Sequence, residues 1–91
     1  MNEFDESLKK IFEEILKEFP EGTFEKFKIL SKEDLWQANF GFGTWLRNVF
    51  LFDNHEIRKI FENQGIEDID DMSSFIIEKF QEYLNSESIS E

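Results

Sequence analysis

Apolar side chains recur with the period of an α-helix through the first part of the chain, and this periodicity constrains the fold more than any other feature. The apolar positions are Phe4, Leu8, Ile11, Phe12, Ile15, Leu16 and Phe19. Steps of three and four residues place them on one helix face, with charged residues on the other. The helix is predicted to end before Pro20, because helical geometry is disfavoured for the residue that precedes a proline.

The same period returns in three later segments. Ser31 is a predicted N-cap, from which a central helix is expected to run to about Phe50. A short helix capped by Asp53 or Asn54 is expected to close at Gly65. The last helix is expected to begin at an acidic stretch and to carry a further apolar stripe. The apolar residues of this stripe are Met72, Phe75, Ile76, Phe80, Tyr83 and Leu84.

These patterns predict an all-α fold, since no segment has the alternation of a half-buried strand. We expect a small antiparallel bundle of about four main helices plus one short helical turn within residues 23–30. Residues 1–85 are predicted to form a single helical domain. Residues 86–91 are predicted to form a disordered acidic tail, because they are too polar to pack.

The predicted central helix contains two glycines, Gly41 and Gly43. An interior glycine costs about 1 kcal/mol relative to alanine, so each needs a structural reason. We favour a close approach of another helix at Gly43. The alternative is a kink or break near Gly41 that shapes a ligand site.

Arg47 follows Gly43 by four residues, on much the same apolar face, where an unpaired charge would be costly. Asp70 and Asp71, at the start of the last helix, are the expected partners and could hold the guanidinium bidentately. We favour a structural clamp of this kind, and the alternative is that Arg47 faces a ligand carboxylate or phosphate.

Twelve phenylalanines, two tryptophans and one tyrosine supply the core of this 91-residue chain. Each such ring can bury about 150 to 250 Å², which is more than a domain of this size is expected to hide. Some rings are therefore expected at a partner surface or at a homodimer contact.

The net charge of −11 argues against direct nucleic-acid binding, which uses clustered lysine and arginine. The charge is uneven: residues 66–91 hold eight acids and one base, whereas residues 40–65 hold three of each. An acidic surface can serve solubility, which we favour, or can meet a basic protein partner.

The chain has no cysteine, so disulfides and thiolate metal sites are excluded. It has no apolar run long enough for a membrane helix, and its acidic N-terminus does not match a secretory signal. We therefore expect a cytoplasmic protein that does not bind membranes.

No catalytic residue, metal site or cofactor is predicted. Glu67, Asp68, Asp70 and Asp71 could suggest a divalent cation, but the mid-loop glycine and distal glutamate of a calcium loop are missing. A triad of His55 with Ser73 or Ser74 is rejected, because no nucleophile turn or oxyanion segment surrounds either serine.

Two motifs resemble those of a family of small, mainly bacterial domains of unknown function, whose members carry Gly-x-Trp-Ile-Arg-Asn and Asp-Asp-x-Ser-x-x-Ile. The first corresponds to residues 43–48, with leucine in place of isoleucine, and the second to residues 70–76. The resemblance covers about residues 31–84, and it implies an all-helical domain in which Arg47 and Asn48 are coupled to the Asp70 region. This chain departs from the family pattern at three places. It has Val49 where the family has a second asparagine, and Leu51-Phe52 where the family has a Leu-Trp pair. It has Asp68-Ile69 where the family has His-Pro.

Two functions remain open from the sequence, and enzymatic activity is uncertain, with the balance against it. The first is a non-catalytic protein-interaction module, an inhibitor or immunity-type partner of a basic protein. The alternative is a small enzyme or sensor that binds an anionic or metal-bound ligand around Arg47, Asn48, Asp70 and Asp71. The predicted binding or clamp residues are Trp45, Arg47, Asn48, Asp70, Asp71 and Ser73.

Overall fold

A computed structural model describes the backbone of residues 2–89 and the side chains of residues 2–86. Over this range the structure contains five α-helices and no strand, which confirms the all-α prediction. The helices are α1 (Glu3–Glu18), α2 (Lys32–Ala38), α3 (Phe42–Leu46), α4 (His55–Asn63) and α5 (Ile69–Ile89). A 3₁₀ turn (Phe27–Ile29) precedes α2, and a π-helical turn (Arg47–Leu51) follows α3. The antiparallel bundle arrangement stays a prediction.

Local capping sets several of the helix ends. The Ser31 hydroxyl accepts a hydrogen bond from the Asp34 backbone N–H (3.2 Å), and the Asn54 side chain accepts one from the Ile57 N–H (3.1 Å). These contacts satisfy donors that a helix start leaves free, as the sequence predicted. Helix α1 ends at Glu18, just before the Phe19-Pro20 pair.

Helix α4 closes with a Schellman motif at Gly65. This glycine has a φ of +85°, in the left-handed region that glycine adopts without strain. The Ile66 N–H reaches back to the Phe61 carbonyl at 3.0 Å, and Ile66 packs against the core.

The buried core joins residues of every α-helix, and fully buried side chains of α5 lie at its centre. Phe80 is fully buried and contacts Phe12, Phe24 and Phe27, with centroid distances of 5.6, 4.9 and 5.7 Å. Edge-to-face pairs such as Phe24 with Phe80 add stabilisation beyond their buried area. Phenylalanines that the sequence places in three separate segments therefore meet around Phe80.

The predicted central helix from Lys32 to Phe50 is wrong, because the chain breaks between α2 and α3. The backbone N–H groups of Asn39, Phe40 and Gly41 bond to carbonyls three residues back, so the last turn tightens and the helix stops. Four predicted main helices therefore become five α-helices.

The π-helical turn that follows explains how the apolar pattern continues beyond the break. Its bond runs from the Phe52 N–H to the Arg47 carbonyl (2.8 Å), five residues apart. Leu46 and Leu51, also five residues apart, are both fully buried. The wider turn brings the two leucines toward the same core.

A glutamine on α5 holds the 3₁₀ turn in place. The Gln81 side-chain amide donates to the carbonyls of Phe27, Lys28 and Leu30 at 3.1, 3.3 and 2.9 Å. The amide of Asn85 adds a bond to the Lys28 carbonyl at 3.1 Å. Helix α5 continues past Asn85 and ends at Ile89. Residues 90 and 91, within the predicted disordered tail 86–91, lie outside the described residues.

Candidate functional site

Arg47 is the centre of a polar cluster between the helix break and the start of α5. Only 13% of its side chain is exposed. Its Nη1 donates to the Ser73 hydroxyl at 2.7 Å and to Asn39 Oδ1 at 3.2 Å. Its Nη2 donates to the Thr44 hydroxyl at 2.9 Å and to the Asn39 carbonyl at 3.4 Å. We call Asn39, Thr44, Arg47 and Ser73 the arginine hub.

Asn39 connects the hub to the first turn of α5. Its amide nitrogen donates to the Asp70 carbonyl at 3.3 Å, and its amide oxygen lies 2.6 Å from the Ser73 hydroxyl. Ser73 is fully buried, so its hydroxyl depends on these internal partners. The helix break at Asn39 is therefore tied to a helix that begins 30 residues later in the chain.

Gly43 makes room for the hub. A Cβ added at Gly43 would lie 2.8 Å from Asn39 Cγ and 3.2 Å from Arg47 Nη1. The close approach predicted at this glycine is thus made by the Asn39 side chain, from the break that precedes α3. Gly41, by contrast, has no atom within 4 Å of an added Cβ.

The guanidinium reaches one of the two aspartates. Arg47 Nη1 lies 3.4 Å from Asp70 Oδ1, whose side chain is 70% exposed. An ion pair with so exposed a carboxylate contributes little, typically below about 1 kcal/mol. Among the described residues, Arg47 forms no hydrogen bond or ion pair with Asp71, so the neutral partners of the hub carry most of the interaction.

Acidic residues also cap α5, as the sequence predicted. The Asp68 carboxylate accepts the Asp70 backbone N–H at 2.8 Å, and the Asp68 carbonyl accepts the Met72 N–H at 3.0 Å. Negative charge is favourable at a helix N-terminus. Among the described residues, no group of three histidine, cysteine, aspartate or glutamate side chains is arranged to hold a metal ion.

A cleft of about 240 Å³ opens beside the hub. It lies between the helix break and the first turn of α5. Its lining residues are Trp36, Asn39, Phe40, Arg47, Asp70, Asp71 and Ser74. The four terminal N–H groups of Arg47 each have an acceptor within the hub, so the guanidinium forms part of the cleft wall rather than an open anion site.

Two aromatic side chains at this cleft are exposed. Trp36 is 62% and Phe40 72% exposed, and their rings make an edge-to-face pair with centroids 5.5 Å apart. Trp36 lies in α2, two residues before the end of that helix, and Phe40 lies in the break itself. The hub fixes the backbone that carries Phe40, since Asn39 is its neighbour.

Two predicted site residues lie outside both the arginine hub and the cleft. Trp45 is half-buried and packs against Phe19 and Phe50, with centroid distances of 5.0 and 5.7 Å. Asn48 is exposed on the π-helical turn. Within the described residues it has no side-chain hydrogen bond. The resemblance-based coupling of Asn48 to the Asp70 region is therefore not seen in the geometry, whereas Arg47 and Ser73 lie together in the hub.

Sequence reasoning missed Asn39, Thr44, Trp36 and Phe40 as site residues. One available signal was the position of Asn39, a polar residue on an apolar stripe and four residues before Gly43. Trp36 and Phe40 share the apolar spacing of the predicted central helix, but in the structure both are exposed. No helix of the described chain has the length and apolar character required to cross a bilayer.

The fold and the site define a small all-helical domain with an arginine hub and an adjoining acidic and aromatic cleft. A family model described as a domain of unknown function (DUF6794) matches residues 6–84, and the chain belongs to this family. This finding agrees with the resemblance to an uncharacterised domain family, while its motifs and bacterial distribution stay predictions. No curated protein and no solved structure matches the chain.

Proposed function

We propose that the chain is a non-catalytic protein-interaction module, of the inhibitor or immunity type, that binds a basic protein. The exposed Trp36–Phe40 pair is the observation that supports this proposal. Tryptophan is enriched among the residues that dominate binding energy in protein interfaces, and aromatic residues are enriched at interfaces generally. Two adjacent exposed rings on a charged surface are therefore well suited to anchor a partner.

The hub supports the proposal by holding this surface in place. Phe40 follows Asn39, whose side chain and backbone carbonyl both bond to other residues of the site. A surface that is already ordered loses less conformational entropy when a partner binds. The rings are thus positioned before binding.

Charge favours a basic partner over a second copy of the chain. Each copy carries a net charge of −11, so two copies repel each other at long range. A basic protein is attracted by the same field, which raises its association rate. The homodimer expected from the number of aromatic rings is therefore the weaker proposal.

The ligand-binding alternative has less support from the geometry. It requires Arg47 to meet an anionic or metal-bound ligand, but the terminal N–H groups of Arg47 already bond to Asn39, Thr44 and Ser73. Asp70 and Asp71 also line the cleft and would repel an anion.

A pull-down with the purified chain as bait tests the interaction proposal. The wild type is expected to retain a basic protein at low salt and to release it as ionic strength rises, because exposed charges are screened. Trp36→Ala combined with Phe40→Ala is expected to abolish retention. Val49→Ala is the matched control, since Val49 is an exposed apolar residue (52%) that does not line the cleft.

Circular dichroism of each variant first establishes that its fold is intact. Light scattering of the bait then separates capture of a foreign protein from self-association. The proposal would be contradicted if the amount of retained protein changed neither with ionic strength nor with loss of the two rings.

A further inference from the structure

The cleft beside the arginine hub combines aromatic rings with a carboxylate that has no partner. Trp36 and Phe40 line one part of it, and Asp70 and Asp71 line another. Asp70 pairs with Arg47, so these two charges largely offset each other. Among the described residues, the Asp71 carboxylate has no hydrogen-bond or ion-pair partner, and it leaves the cleft with an uncompensated negative charge.

This composition selects a cation. Aromatic faces attract guanidinium and ammonium groups, and tryptophan is the most effective of the rings. The Asp71 carboxylate attracts a cation directly and repels an anion. An anion would also lack free donors on Arg47, because these already bond to Asn39, Ser73 and Thr44. The positive end of α5 opposes a cation, but the Asp68 carboxylate already accepts the Asp70 backbone N–H at that first turn and offsets part of this charge.

The size of the cleft favours one side chain over a whole metabolite. Its volume of about 240 Å³ is below the roughly 300 to 1,000 Å³ typical of small-molecule pockets. It is nevertheless several times the roughly 30 Å³ that a water molecule occupies in the liquid.

We infer that the cleft receives an arginine side chain of the basic partner, with its guanidinium against Trp36 and Phe40 and its charge beside Asp71. Guanidinium is planar, stacks on aromatic rings and is more weakly hydrated than ammonium, so arginine fits this site better than lysine. This inference rests on the proposed function, because it names the group through which the basic partner is recognised.

Nuclear magnetic resonance titration of the full chain with N-acetyl-arginine amide tests the inference directly. The amide signals of Asp71 and Ser74 and the indole signal of Trp36 are expected to shift saturably. N-acetyl-lysine amide is expected to bind more weakly, and pyrophosphate is expected to cause no saturable shift at these positions. Stronger binding of the lysine amide, or saturable binding of pyrophosphate, would overturn the inference.

Three variants locate the binding. Trp36→Ala and Asp71→Asn are each expected to weaken arginine-amide binding by roughly two- to fivefold, as expected for an exposed cation–π contact and an exposed ion pair. Asp53→Asn is the matched control, because it removes the same charge from an exposed residue outside the cleft. Equal weakening by Asp53→Asn and Asp71→Asn would show attraction to net charge alone and would overturn the inference.

The outcome separates the inference from the proposed function. If ring removal abolishes partner retention but the arginine amide fails to bind, the interaction surface stands and the arginine-receiving cleft is wrong. If the arginine amide binds but the partner is retained equally with and without the two rings, the arginine-receiving cleft is supported and the interaction proposal is wrong.

Discussion

Replacing Arg47 with alanine is expected to lower the free energy of unfolding by about 3 kcal/mol. The substitution removes hydrogen bonds from a charged group, each typically contributing about 1.5 to 3 kcal/mol, and the remaining partners recover part of the loss. It also leaves the buried Ser73 hydroxyl and Asn39 amide with fewer partners. Urea denaturation of wild type and variant measures the difference.

Arg47→Lys separates the hydrogen-bonding shape of arginine from its charge. Lysine keeps the positive charge but lacks the planar fork that bonds Asn39, Thr44 and Ser73 together. We expect the lysine variant to lose most of the stability that the alanine variant loses. Full stability of Arg47→Lys would show that charge alone acts at this position, and it would contradict the hub.

Gly43→Ala is expected to destabilise the protein by about 2 kcal/mol, although alanine is the better helix former by about 1 kcal/mol. The added Cβ would lie 2.8 Å from Asn39 Cγ and 3.2 Å from Arg47 Nη1, so the hub has to shift. Thermal or urea unfolding gives the magnitude.

Gly41→Ala is the control for the same chemical change two residues away. Gly41 has a φ of −107° and no atom within 4 Å of an added Cβ, so alanine is compatible with both backbone and space. A neutral effect or a gain of about 0.4 to 1 kcal/mol is expected from reduced freedom of the unfolded chain. Similar losses at both positions would show that the crowding at Gly43 has no part in stability.

Helix ends were predictable because the interactions that set them are local. Ser31 and Asn54 bond to N–H groups three residues ahead, and Gly65 adopts a conformation that glycine alone favours. Each of these signals lies within a few residues of the helix end it determines. Sequence neighbours therefore contain the necessary information.

The helix break was not predictable from periodicity, because the apolar spacing continues through it. The break is stabilised by tertiary hydrogen bonds. Asn39 bonds to Asp70 and Ser73, which lie 31 and 34 residues further along the chain. The π-helical turn was missed for a related reason, since its benefit is the joint burial of Leu46 and Leu51. Local patterns do not contain those contacts.

The candidate site was predictable where a charge had to be compensated. An arginine on an apolar stripe needed partners, and the acidic start of α5 was the expected place to find them. Arg47, Asp70 and Ser73 do lie together. The neutral partners Asn39 and Thr44 gave a weaker signal than a charge gives. The exposure of Trp36 follows from the break between α2 and α3, which the sequence offered only as the alternative near Gly41.

A double-mutant cycle between Arg47 and Ser73 tests the arginine hub most directly. The cycle compares Arg47→Ala, Ser73→Ala and the double variant by urea denaturation, with a parallel cycle between Arg47 and Asp70. We predict a coupling energy above about 1 kcal/mol for Arg47 with Ser73. The two side chains form a hydrogen bond of 2.7 Å, and Ser73 is fully buried from solvent. We predict a coupling below about 0.5 kcal/mol for Arg47 with the exposed Asp70. Additive effects at Arg47 and Ser73, with strong coupling to Asp70, would contradict the hub and show a simple ion pair instead.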